Sequence, residues 1–152
     1  MAVWKTLFER QVAEHPTEAY EVDGPAAKLL VHVRGLIRRT AGRGSAGMMH
    51  RLIRHEQNRP TGLIGEMFSE LQAEARQSLL STLAELSCRD RSSDEWCLIE
   101  LSLLAETRAI LPETVVTYEP LKDQRLDDDF LERYAAFVTE KTIALLRSPA
   151  AA

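Results

Sequence analysis

The series Ile64, Phe68, Leu71, Ala75, Leu79, Thr82 and Leu86 keeps the α-helical period for more than twenty residues, and it constrains the fold more than any other stretch. A helix that long with one apolar stripe needs other helices to cover the stripe. The neighbouring segments supply them. Trp4, Leu7, Phe8 and Val12 predict an amphipathic first helix ending near His15-Pro16. A second begins after Asp23-Gly24, with Pro25 in its first turn, and carries Leu29, Val33, Leu36 and Ile37 inward as far as the Gly42-Arg43-Gly44 break. A short third helix places Met48, Met49, Leu52 and Ile53 inward, and the long stripe is the fourth.

The fifth helix opens on a capping box, Ser92 with Glu95. It then runs through Trp96, Cys97, Leu98, Ile99, Leu101, Leu103 and Leu104, which leave little polar surface, so it must be covered on both sides. Pro112 stops it. A connection through Val115, Val116, Tyr118 and Pro120 reaches the acidic start Asp127-Asp128-Asp129 of the last helix, whose expected apolar face is Phe130, Tyr134, Phe137, Val138 and Leu145. The expectation is an all-α fold of six helices in one domain spanning 1–147, with 148–152 a disordered tail.

Composition narrows the function classes. At 152 residues and 45% hydrophobic content the chain has enough apolar side chains for a core. Two cysteines, Cys88 and Cys97, show neither a disulfide framework nor zinc spacing, and with no signal-peptide run or membrane span a cytoplasmic protein is expected. Net charge is −4, but Lys28 to Arg59 holds eight basic residues against Glu56 alone. That run reads as a solvated face, or as a surface near phosphates if a DNA-reading domain adjoins it.

The junction Arg54-His55-Glu56-Gln57-Asn58-Arg59-Pro60-Thr61 closes the third helix and opens the fourth. Asn58 can end a helix in the left-handed conformation, and Pro60 pushes Arg59 out of the helical region. In this setting Arg54, Glu56, Pro60 and Thr61 resemble the corner in the C-terminal, effector-binding half of a subgroup of TetR-family transcriptional regulators. The resemblance runs from about Trp4 to Leu146 and rests, outside that corner, on helix order and apolar spacing. It implies a six-helix regulatory domain, a small-molecule effector in the helical core, and a homodimer whose last two helices form a four-helix bundle with those of the partner. DNA would be bound only through a helix-turn-helix head, which is not expected in this chain because none precedes Trp4.

On that reading the ligand-binding candidates are His32, Met49, Glu56, Met67, Leu71, Leu103 and Glu106, and the dimerisation candidates are Cys97, Leu101, Leu104, Phe130, Tyr134, Phe137 and Val138. Two acids stand out because a carboxylate on an apolar face is costly unless paired, hydrogen-bonded or protonated. Glu56 falls within the arc of Met49 and Leu52, where it either accepts the first free amides of the fourth helix or meets a ligand. Glu106 shares a stripe with Ile99, Leu103 and Ile110, where it either pairs with an arginine of the second helix or anchors an effector. Met48, Met49 and Met67 suit a core or an adaptable pocket equally.

Neither metal nor cofactor is expected. His50 and His55 are five apart, not the four that align two imidazoles on one helix face, and no nucleophile motif or phosphate-binding glycine loop is present. An enzyme is therefore not expected. The alternative function is a stand-alone helical homodimeric interaction module with a solid interior and no ligand.

Overall fold

The computed structural model describes residues 22–41, 51, 55, 58, 59, 65–111 and 126–148, with side chains in the helix at 65–86 described from 73 onward. The regular elements among them are all α-helices, so the fold class is all-α. The four are α1 (Pro25–Thr40), α2 (Gly65–Leu86), α3 (Ser93–Arg108) and α4 (Asp128–Arg147), corresponding to the second, fourth, fifth and last helices expected from the sequence. The expected first helix, most of the third, and the connection at 112–125 lie outside the described residues.

Each helix start follows from local residues. Gly24 takes φ 90°, a conformation disfavoured for other residues, and Pro25 then begins α1 with φ already set for a helix. The predicted capping box forms: Ser92 Oγ accepts the Glu95 amide at 3.3 Å and Glu95 Oε2 accepts the Ser92 amide at 3.0 Å. Asp127 caps α4 by accepting the Phe130 amide at 2.9 Å. At the corner before α2, Asn58 stays helical rather than left-handed, since no described non-glycine residue has positive φ. The Arg59 amide still reaches the His55 carbonyl at 2.9 Å and so completes the last helical turn.

The core is continuous through all four helices. It joins Leu29, Val33 and Ile37 of α1, Leu79, Leu83 and Leu86 of α2, Ile99 and Leu103 of α3 with Ile110 just beyond, and Leu131, Ala135, Val138 and Leu146 of α4. The α2 face centres on Leu83, which is fully buried, while Ala75, assigned to the stripe from its spacing, is exposed. On α4 the buried face is Leu131, Ala135, Val138, Thr139, Thr142 and Leu146, and of the expected apolar face Phe137 and Leu145 are exposed while Val138 is buried.

Two threonines complete this buried face. Thr139 and Thr142 donate their hydroxyls to the carbonyls of Ala135 and Val138 at 2.7 and 2.8 Å, leaving their methyl groups to pack. Residues that score as polar thus behave as small apolar ones. Val138 consequently has no exposure and belongs to the core of its own chain, so it is removed from the candidate dimerisation residues.

Ion pairs tie the helices at their edges. Arg34 Nε and Arg38 Nη2, one turn apart on α1, reach the two oxygens of Glu132 on α4 at 2.6 and 3.1 Å. Arg76 of α2 grips Glu100 of α3 through two bonds of 2.7 Å. No described helix is long and apolar enough to cross a membrane.

Candidate functional site

Four features remain once the core is assigned: an exposed apolar strip, a polar seam beside it, and two clefts, one between α2 and α3 and one between α1 and α2. The strip follows from α3 and α4 each carrying more apolar residues than one inward face can use. Leu98 and Leu101 on α3 are 66% and 56% exposed, and Phe137 and Leu145 on α4 are 59% and 45% exposed. Leu104, Phe130 and Tyr134 are half-buried. Phe130, Tyr134 and Phe137 stack in sequence, with ring centroids 6.2 and 6.5 Å apart. The expectation that α3 is covered on both sides thus holds for only one side within the described chain.

Cys97 is exposed as well, but it lines a cleft of about 680 Å³ between α2 and α3, together with Trp96, Leu80, Ala84 and Arg76. Its neighbours there belong to α2 rather than to α4.

The seam between α3 and α4 is built around Glu106. Its carboxylate oxygen Oε1 receives Lys141 Nζ at 2.6 Å and the Ser102 hydroxyl at 3.3 Å, while its backbone carbonyl accepts the Tyr134 hydroxyl at 2.7 Å. The partner of this acid is therefore a lysine of the last helix, not an arginine of α1, whose Arg34 and Arg38 both serve Glu132. Burial, with the Glu106 carboxylate second, raises the Tyr134 phenol above its ordinary range, so it remains a hydrogen-bond donor at neutral pH. The second carboxylate oxygen of Glu106 is buried without a hydrogen-bond partner. Leu103, one turn earlier, is wholly part of the core.

The other cleft lies between α1 and α2 and has a volume of about 470 Å³. Lys28 and His32 form the α1 wall, and Glu74, Gln77, Ser78, Ser81, Thr82 and Glu85 form the α2 wall. His32 Nε2 and Ser78 Oγ meet across it at 3.3 Å. Burial and then the nearby Arg39 guanidinium lower the His32 pKa, so the imidazole is neutral at pH 7. Helical spacing alone gave the α1 wall only through His32; the α2 wall is a polar row that apolar periodicity passes over.

Glu56, Met49 and the side chains of Met67 and Leu71 lie outside the described residues. Among the described candidates, His32 lines the cleft between α1 and α2, whereas Glu106 and Leu103 lie one turn apart on α3. Among the described residues no group of three or more His, Cys, Asp or Glu side chains is placed to hold a metal ion.

Comparison with known protein families, with curated proteins and with solved structures finds no match to this chain.

Proposed function

We propose that this chain is a homodimeric ligand-sensing domain, a six-helix bundle resembling the regulatory half of a TetR-type transcriptional regulator. The observation that carries the reading is the apolar strip on two adjoining helices. Leu98, Leu101, Phe137 and Leu145 are exposed although a complete core lies beneath them. Large apolar side chains left exposed on two packed helices favour a partner surface.

A second copy fits it by shape and by charge. Two exposed helices complement two others in a four-helix bundle, and a twofold axis places the same patch on both sides. The charged pair beside the strip, Lys141 with Glu106, has no net charge, so two copies meet without like-charge repulsion from it. In such a domain an effector among the helices favours one arrangement of the bundle, and the change is passed to DNA-reading heads. Only a ligand that binds the two arrangements unequally can do this.

One observation favours a second reading, a homodimeric interaction module without a ligand. The described core is closed to solvent, with Leu29, Val33, Ile37, Leu83, Val138 and Leu146 all at zero exposure. Native mass spectrometry of the protein purified from its expression host separates the two. A dimer carrying extra mass supports the sensing domain, a bare dimer supports the interaction module, and a monomer rejects both.

A further inference from the structure

The outward face of α3 is written in heptad spacing. Asp94, Cys97, Leu101, Leu104 and Arg108 follow one another at intervals of three, four, three and four residues, the spacing of a helix–helix seam, and Leu98 and Ala105 widen it. All of these are exposed except Leu104, which is half-buried. Ile99, Leu103 and Thr107 hold the opposite side of the helix in the chain's own core.

The charges of α3 divide in the same way. Glu95 pairs with Arg89 and Arg91, Glu100 with Arg76, and Glu106 with Lys141. Asp94 and Arg108 are the other charged residues of the helix, and neither enters an ion pair with a described residue. They stand at the two ends of the seam with apolar side chains between them along it, and Leu101 lies midway, seven residues from each. A face with an acid at one end, a base at the other and a leucine at its centre is complementary to itself when turned end for end. Parallel pairing of two copies would set Asp94 against Asp94 and Arg108 against Arg108, which like charges oppose. Antiparallel pairing about Leu101 sets Asp94 against the partner's Arg108 twice over, Cys97 beside the partner's Ala105, and Leu98 beside the partner's Leu104. Small side chains at Cys97 and Ala105 leave room for the helices to approach. Exposed ion pairs add little affinity, so these two choose orientation and register while the leucines supply the contact.

We propose that α3 packs antiparallel on α3 of a second copy of this chain, about a twofold axis at Leu101, with Asp94 of each copy paired to the partner's Arg108. The proposal rests on the homodimeric reading above and gives that dimer an axis, an orientation and a register. Asp94, Ala105 and Arg108 are exposed and absent from the hydrophobic core, so replacing them leaves the fold in place.

The test is sedimentation equilibrium of the full chain and its charge-reversed variants. Asp94→Arg and Arg108→Asp should each raise the dimer dissociation constant by about tenfold, because each sets two like-charged pairs across the axis. The double variant, with both reversed, should return to within about threefold of the unaltered chain. The helix dipole alone predicts the opposite: each reversal opposes it, so the double variant would be the worst of the three. A double variant weaker than both singles therefore overturns the proposal. Disulfide trapping checks the register independently. In a Cys88→Ser background, Ala105→Cys should give covalently linked dimers through Cys97 under mild oxidation, whereas Cys88→Ser alone should give none. Linkage through Cys97 alone, or none with Ala105→Cys, overturns the register. A dimer that fails these tests refutes the antiparallel α3 pairing and leaves the homodimeric reading standing, whereas an unaltered chain that stays monomeric refutes both.

Discussion

Arg91 holds the carbonyl end of Leu146: its Nη2 donates to the Leu146 oxygen at 2.8 Å and to the Leu145 oxygen at 3.2 Å. The last carbonyls of a helix lack intrahelical partners and carry the negative end of the helix dipole, so a buried guanidinium satisfies both needs. The Arg91 side chain is only 6% exposed, and its Nε is anchored by the Ser87 hydroxyl at 3.1 Å. The Cys88 thiol adds contacts to the Leu146 and Arg147 carbonyls at 3.6 and 3.5 Å. The turn between α2 and α3 thereby caps α4, a helix more than fifty residues further along the chain.

Arg91→Ala should lower the unfolding free energy by about 2 kcal/mol, because it removes charged hydrogen bonds to the Leu145 and Leu146 carbonyls. Arg91→Lys keeps the charge without the planar fork and should recover only part of the loss. Urea unfolding followed by circular dichroism measures both.

Leu101→Glu and Phe137→Glu should separate the proposed dimer while leaving the monomer fold intact, since both side chains project from the chain at 56% and 59% exposure. Each should raise the dimer dissociation constant by about thirtyfold or more. Sedimentation equilibrium gives the constant. Val138→Glu should instead abolish folding, because that side chain has no exposure at all.

Lys141→Met should cost more than Glu106→Gln. Lys141 is 57% exposed and the Glu106 side chain 20%, so the pair itself contributes only about 0.2–1 kcal/mol after screening by solvent. Removing the lysine, however, leaves a largely buried carboxylate with one oxygen already unpartnered. Thermal melts of the two single variants and the double variant test the order.

Two groups shape the acid side of the stability curve. His32 has a folded pKa below 6.5, so the native state disfavours its proton. Its contribution is fully present above pH 6.5 and is lost as pH falls through the lowered native value. Glu95 is held at about 2, against 4.5 ordinarily, by the Arg89 guanidinium first and the Ser92 amide second. Its contribution is complete above pH 4.5 and disappears as pH falls toward 2. His32→Gln should flatten the upper part of the acid limb and Glu95→Gln the lower part, as read from chemical denaturation across pH.

Three of the four described helix starts were legible because their signals are local. Pro25 after Gly24, the Ser92 and Glu95 box, and Asp127 before Phe130 each act within four residues, and each forms as written. The threonine part of the buried face of α4 was not legible, because Thr139 and Thr142 reveal their apolar behaviour only when their hydroxyls turn back to the backbone. Glu106 was recognisable as an oddity from its apolar neighbours. Its partner was not, since the choice between Lys141 and the α1 arginines depends on how α3 and α4 meet. The α2 wall of the cleft was missed for a related reason: Glu74, Ser78, Ser81 and Glu85 form an ordinary solvent-facing helix row until α1 stands beside them.

The single carboxylate of Glu132 that joins Arg34 and Arg38 has a consequence for the order of events during synthesis. The two bonds span 98 and 94 residues. Long-range closure carries an entropic cost before any contact offsets it. On the ribosome α1 emerges well before α4, and the apolar row Leu29, Val33 and Ile37 has no complete cover until the later helix arrives. Nascent chains arrested before Glu132 should therefore hold a bare greasy surface and depend on chaperones, and emergence of α4 is the step at which that row gains its cover.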